Sequence, residues 1–431
     1  MIVTKDKMKT CVVLGTRPEI IKLYSVMNAA KEHKMVTPVF IHTGQHYDYE
    51  MSQVFLEELR LPEFDHFLNV KSGSHGTQTA RLLIELEKTF MKEQPDVVIV
   101  LGDTNTTMAG ALAGTKLGIP IAHVEAGCRS FDMTMPEEIN RLIADAISSI
   151  LFAPSEVSAL NLLYGGHSWE RIFLSGNTVV DIVEETRELR RSITLDLDLI
   201  GEHDVVVTLH RQENVDDKKR LKELITALSE IRGEVVFPIH PRTRKRIEEF
   251  GLISQVESAT NLKLIKPLNF LSFMKLMEES KVVVTDSGGV QEEAVMLGVP
   301  CITARDTTEW PETVWAGGNR LAGRDAKNIT TMCNEILSKP EKAKKEGRNP
   351  FKGKAGKTII KTLVKLWQRG DLGLSKPDMS DGKYPLPRLI GGKAAHENVY
   401  QTTMRFNRDG TAVVEDGKDV SNIVVRTSKR I

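Results

Sequence analysis

Hydrophobic and polar positions alternate along this chain with two different periods. Short β-branched runs recur at TCVVLG from Thr10, VTPVFIHTG from Val36, DVVIVLG from Asp96, IPIAHVEAG from Ile119 and ILFAPS from Ile150. Between them lie stretches of helical periodicity, such as PEIIKLYSVMNAAKEH from Pro18 and the segment Thr106 to Leu117. That alternation predicts a parallel sheet wrapped by helices. A second series follows SGNTVVDIVEETRELRRS: DVVVTLH, a helix near Leu221 to Ile231, EVVFPIH, LKLIKPL, VVVTDSGG and VPCITAR. The expected fold class is α/β, with two doubly wound, Rossmann-like domains in tandem. Ligands of such sheets bind beyond the carboxyl ends of the strands. Those ends carry Gly15 to Arg17, Asp103, Glu125, His210, His240 and Ser287. Two such sheets facing each other would form one central cleft.

The strand Val282 to Thr285 runs through Asp286, Ser287, Gly288 and Gly289 into a helix. A helix that starts on small residues offers free N–H groups and the positive end of its dipole, which suits a phosphate. Glu293 lies one turn further in, within reach of a ribose attached to that phosphate, so the segment points to a nucleotide. The bland alternative is a tight turn with a solvated glutamate. No GxGxxG or P-loop accompanies either half, which argues against a dinucleotide or a nucleoside triphosphate.

Composition narrows the partners. The 431 residues hold 58 Lys+Arg and 58 Asp+Glu, so no global field draws the chain to nucleic acid or an anionic membrane. No apolar run reaches the roughly 18 residues of a spanning helix, and the start MIVTKDKMKT lacks an apolar signal region, so a cytoplasmic location is expected. Cys11, Cys128, Cys301 and Cys333 are scattered without a CxxC and read as reduced packing residues. From about Asp371 a Pro/Gly-rich linker leads to a tail in which Tyr400, Thr402, Met404 and Phe406 alternate. Asp409-Gly410 and Asp416-Gly417 are turn signals, and a three-stranded meander ending in VSNIVVRTS, docked on the body or a neighbouring subunit, is expected.

Arg17, beside Pro18 at a helix start, and Lys22 place cations at the cleft mouth; an arginine fork matches phosphate oxygens. Asp103, Glu125 and Glu137 bring three carboxylates towards the same cleft. Their mutual repulsion should lift at least one pKa, as proton transfer to and from a substrate requires. Glu138, its neighbour, reads as a helix-dipole complement. No DxD-type pair or histidine at ligand spacing supports a metal, and no cofactor is expected. His210 with Arg211, and His240 with Arg242, fit anionic ligands; His210 suits a leaving phosphate, while His240 and Arg242 stay open.

Taken in order, GTRPE, TGQH, GDTNTT, HVEAG, PEEINR, GNTVVD, HRQEN, IHPRT, DSGGVQEEA and TEWPE resemble the non-hydrolysing UDP-N-acetylglucosamine 2-epimerases from about residue 9 to 368. The resemblance implies the two-domain fold of the B-type glycosyltransferases (GT-B), with UDP mainly on the second domain and a homodimer as the assembly. It implies residues 1–180, joined by a helix around 355–370, as the first domain and 181–354 as the UDP-binding second; residues 371–431 lie outside the resemblance and are read from their own pattern as linker and small β-rich appendage. The implied activity interconverts UDP-N-acetylglucosamine and UDP-N-acetylmannosamine through a 2-acetamidoglucal. Asp103, Glu125, Glu137 and His210 fall on the family's catalytic positions. Arg17, Lys22, Ser287, Gly288, Gly289 and Glu293 fall on its nucleotide contacts, with Phe273 on the uracil side.

Two positions depart from the bacterial pattern. Trp310 stands where an arginine is usual, as in relatives acting on UDP-2,3-diacetamido-2,3-dideoxyglucuronate, and Tyr47 replaces an arginine beside Gln45 and His46, in the region where bacterial members bind an activating UDP-N-acetylglucosamine. The alternatives are therefore that diacetamido-uronate 2-epimerase, a hydrolysing 2-epimerase and a GT-B glycosyltransferase.

Overall fold

The computed structural model describes residues 5–45, 58–196, 203–323 and 325–373, with the backbone of two short strands at 403–406 and 412–415. The first sheet contains β1 (Met8–Leu14), β2 (Val36–His42), β3 (His66–Phe67), β4 (Val97–Leu101), β5 (Ile121–Val124), β6 (Ile150–Ala153) and β7 (Ile172–Leu174). The second contains β8 (Val205–Thr208), β9 (Val235–Pro238), β10 (Leu262–Ile265), β11 (Val282–Thr285), β12 (Cys301–Thr303) and β13 (Asn319–Leu321). All pairings in both sheets are parallel.

The apolar runs form strands because both faces of each sheet are covered. In β1, Val12 and Leu14 enter one buried cluster while Cys11 and Val13 enter another on the opposite face. In β8, Val206 takes one side and Val205 and Val207 the other. The strands run β3-β2-β1-β4-β5-β6-β7 and β10-β9-β8-β11-β12-β13, so the winding reverses between β1 and β4 and between β8 and β11. These reversals are the crevices where such sheets take ligands. The loops that leave them carry Gly15 to Arg17, Asp103, His210 and Asp286. The architecture is that of the GT-B fold.

The edge strands β3, β7 and β13 were not expected from the sequence; they are two or three residues long and mostly half-buried. The helix expected over Thr106 to Leu117 spans Asn105–Lys116, begun by a capping box between Thr104 and Thr107. The helix expected near Leu221 to Ile231 starts earlier, at Lys218, because the Asp217 carboxylate accepts from the Arg220 N–H.

After the second sheet the chain crosses back. In the helix Ala355–Arg369, Ile359, Ile360, Leu363 and Val364 are buried in the same cluster as Leu23, Val26 and Met27 of the helix Arg17–Glu32. The approach is close enough that a Cβ on Gly356 would run into the Ser25 carbonyl. Asp181 fixes the crossing by accepting from the Lys354 and Gly356 N–H groups.

Two strands of the expected meander are present as an antiparallel pair, Thr403–Phe406 with Ala412–Glu415. Its third strand and its docking lie outside the described residues, as do His46 and Tyr47. The four cysteines are buried and unpaired. Among the described residues no helix is long and apolar enough to cross a membrane.

Candidate active site

The helix Gly288–Met296 starts at β11 as the sequence leads one to expect. The Ser287 side chain makes no capping bond to this helix, and a Cβ on Gly289 would meet nothing within 4 Å, so the first N–H groups stand open to a ligand. Glu293 is buried one turn further in. Burial lifts its carboxyl to about 7, against the pull of Arg17 and Lys22. Phe273 lies half-buried on the helix Phe270–Glu279, packed against the core.

Across the cleft the three predicted carboxylates each face a cation. Lys22 Nζ is 2.6 Å from Glu125 Oε1 and 3.2 Å from Glu292 Oε2, and lies 5.4 Å from the centre of the Trp310 ring. Arg141 binds Asp103 and, at 2.7 Å, Glu138, and approaches Glu309 of the second body at 3.7 Å. Arg211, next to His210, comes within 3.9 Å of Glu137. Every candidate carboxylate is therefore linked through one cation to the opposite body. The expected mutual repulsion gives way to separate ion pairs. The carboxyls that burial lifts are others: Glu292 to about 8, Glu293 and Glu19.

Glu125 takes a φ of +64°, the left-handed region, in a turn that continues to Gly127 at +81°. Beneath this loop His123 bridges the Asp145 carboxylate at 2.7 Å and the Gly102 carbonyl at 2.8 Å, and Arg129 joins the same carboxylate at 2.6 Å. Glu138 is more than a dipole complement. It is buried and accepts from the Ser130 N–H and hydroxyl, both at 3.0 Å, and from the Phe131 N–H at 3.3 Å, folding the loop in front of its helix.

His210 is held from the neighbouring strand end. The buried Asp286 carboxylate accepts from the His210 N–H at 3.0 Å and the Arg211 N–H at 3.0 Å, and lies 3.3 Å from His210 Nδ1. The rings of His210 and His240 are 5.2 Å apart. His240 caps the helix Pro241–Glu249 by accepting from the Arg242 N–H at 3.2 Å; burial, His210 and Arg242 lower its pKa. Arg242 pairs with Asp216, together with Arg246. Trp310 is buried edge-on to Phe351, 5.5 Å between ring centres, in an apolar cluster with Cys128 and Val180. The residue replacing the usual arginine is thus a platform under Lys22.

Sequence reading missed Glu19, Arg141, Asp286, Glu292, Arg305 and Glu309. Glu19 joins the loops after β1 and β4, accepting from the Gly15 N–H at 2.9 Å and the Thr104 hydroxyl at 2.7 Å. Glu309 is gripped by Arg305 at 2.9 and 3.1 Å. Burial alone would raise its pKa, but Arg305 and Arg141 outweigh it and hold the carboxyl at about 2, below its ordinary 4.5. A depressed carboxyl stabilises the fold fully above its unfolded value and loses that contribution as pH falls through the folded one. The stability gap between the wild type and Glu309→Gln should therefore shrink between pH 4.5 and about 2. Urea unfolding across that range measures it; a gap independent of pH refutes the pairing.

Two switch-point crevices that face each other, one with an open helix start and one with ion-paired carboxylates, define a two-domain GT-B enzyme. The family profile described as UDP-N-acetylglucosamine 2-epimerase matches residues 28–364. The UDP-N-acetylglucosamine 2-epimerase of Methanocaldococcus jannaschii is 46% identical over 372 residues, 83% of this chain and 99% of the relative. Its crystal structure in complex with UDP-GlcNAc and UDP has a TM-score of 0.76 at 45% identity, covering 83% of this chain and 100% of that one. The UDP-2,3-diacetamido-2,3-dideoxy-D-glucuronate 2-epimerase of Pseudomonas aeruginosa is 41% identical over 364 residues, 83% of this chain and 100% of the relative. The chain belongs to the UDP-N-acetylglucosamine 2-epimerase family and is an isomerase.

Proposed function

We propose that this enzyme inverts C2 of a UDP-2-acetamido sugar, interconverting UDP-N-acetylglucosamine and UDP-N-acetylmannosamine. The observation that carries the reading is the set of three carboxylates, each linked by a cation to the body that offers the open helix start. Ser287, Gly288 and Gly289 hold the diphosphate with Arg17 and Lys22, Glu293 takes the ribose hydroxyls and Phe273 flanks the uracil. The anomeric C–O bond breaks with its electron pair leaving on UDP, and a carboxylate takes the C2 proton, giving a 2-acetamidoglucal. UDP then adds back at C1 while a second carboxylic acid delivers a proton to the opposite face of C2. Asp103, Glu125 and Glu137 share these transfers, and His210 stabilises the departing phosphate. The working bodies are residues 1–180 with the helix around 355–370, and residues 181–354.

The test is incubation with UDP-N-acetylglucosamine in heavy water, followed by proton NMR. Epimerisation gives a UDP-linked mannosamine product deuterated at C2; free N-acetylmannosamine would make the chain a hydrolase. If the sugar nucleotide is untouched, the diacetamido-uronate, the substrate named for the Pseudomonas relative, is the next to be tried.

The assembly proposed is a homodimer in the cytoplasm. Exposed Ile84 on the helix His75–Glu93 and exposed Ile139 and Leu142 on the helix Pro136–Ile147 flank the helix Asn105–Lys116, on which both of these helices pack, with exposed Phe131 and Met133 on the loop before Pro136. An apolar face of this kind favours a second copy. Sedimentation equilibrium should give twice the chain mass, and Leu142→Glu should reduce it to the monomer; a wild-type monomer defeats the proposal.

A further inference from the structure

Glu292 is wholly buried on the helix proposed to grip the diphosphate, yet its carboxylate is spent on groups outside its own body. Oε2 meets Lys22 at 3.2 Å and Oε1 accepts from Asn177 Nδ2 at 2.6 Å. Asn177 caps the helix Thr178–Glu185 by accepting from the Val179 N–H at 2.8 Å, and its own N–H donates to the Lys352 carbonyl at 2.8 Å. Glu292 therefore touches the first helix of the chain and one crossing between the bodies, and through Asn177 it reaches the other crossing.

Lys22 is the shared element, a single ammonium between two carboxylates with Glu125 Oε1 at 2.6 Å. Its attraction to one depends on whether the other is present and charged. The further charged or titratable groups acting here are Asp103 on Lys22, the Cys128 thiol, which burial and then Glu125 push up so that it stays neutral, and Arg17, which with Lys22 acts on the neighbouring Glu293.

We propose that Glu292 is a positioning residue: by sharing Lys22 with Glu125 it sets how strongly the ammonium masks the Glu125 carboxylate, and ties the strength of that base to closure of the two bodies. This rests on Glu125 serving in proton transfer as proposed above. Burial raises the Glu292 pKa and Glu125 raises it further, against the pull of Lys22, so its charge changes near neutral pH, where it affects Lys22 most.

The test compares Glu292→Gln with the wild type in the full-length enzyme, by the pH profile of kcat/KM and by UDP affinity from calorimetry. Glutamine leaves Lys22 to Glu125 alone. Above about pH 8, where the wild-type Glu292 is charged, kcat/KM and kcat should fall about tenfold in the variant as the base weakens, and below it, where Glu292 is protonated, the two profiles should converge. UDP affinity should stay within about threefold, since the helix start is intact. Asn177→Ser keeps a capping oxygen and removes the amide donor, so it should weaken the alkaline profile in the same direction by less and serves if Glu292→Gln does not fold. Profiles that stay parallel across this range, or equal losses of kcat and UDP affinity in the folded variant, overturn the proposal. A wild type that exchanges no C2 hydrogen fails the functional reading itself; a wild type that epimerises beside a variant with a parallel profile fails this inference only.

Discussion

Glu125→Gln should lower kcat by on the order of 10²–10⁴ while UDP still binds, because an amide matches the carboxylate in size and cannot take a proton. Glu125 is the position where this contrast should be sharpest. It is buried, fixed in the left-handed region at φ +64°, and bonded to Lys22 at 2.6 Å, so the substitution removes chemistry without moving the chain. Asp103→Asn should fall in the same range. Glu137→Gln should show the smallest loss, since that side chain is 39% exposed and its nearest cation is 3.9 Å away. Single-turnover kinetics with C2-deuterated substrate reads the proton-transfer step directly. Near-normal turnover in all three amide variants would remove the carboxylates from the mechanism.

Asp286→Ala should be the most damaging single change to the second body. This wholly buried carboxylate accepts from the His210 N–H, the Arg211 N–H and Asn214 Nδ2, each at about 3.0 Å. Alanine leaves the two backbone N–H groups without a partner, at about 1–3 kcal/mol each, so the expected destabilisation is about 2–6 kcal/mol, while Asn214 Nδ2 still donates to the Ala304 carbonyl. Activity should fall as well, because the same carboxylate positions the His210 ring. Asp286→Asn keeps one acceptor and should do less on both counts. Urea unfolding measures the first effect; a loss under about 1 kcal/mol for alanine would mean that the loop is held by other contacts.

Both sheets were legible because their strands are covered on two faces and so are written as unbroken apolar runs. The edge strands β3, β7 and β13 were not, since two or three mostly half-buried residues leave no periodicity to read. The strand-end rule drew attention to Asp103, Glu125 and His210, but the partners that decide their electrostatics were hidden. Lys22 and Glu292 are 270 positions apart, and no local spacing records such a pair. Two missed residues did leave a signal. Arg141 sits three positions after Glu138 on one helix, the spacing of an ion pair. Glu292 lies in GGVQEEAVM, a helix segment with no basic residue of its own, so a buried carboxylate there had to find its cation elsewhere. Asp286 stood inside the DSGG motif, but the phosphate argument used only the small residues after it.

The return of the chain to its first body sets an order on how the protein is made. The sheet of that body is complete at Leu174, yet the helix that covers Leu23, Val26 and Met27 begins only at Ala355, after the whole second sheet. A nascent chain emerging from the ribosome therefore carries a finished sheet with one apolar helix face still bare until the helix Ala355–Arg369 arrives. Such long-range closure is slow and exposes sticky surface meanwhile. The second body, contiguous from Val205 to Leu321 in its strands, is the part suited to folding during synthesis, and the first body, although made earlier, is finished after it.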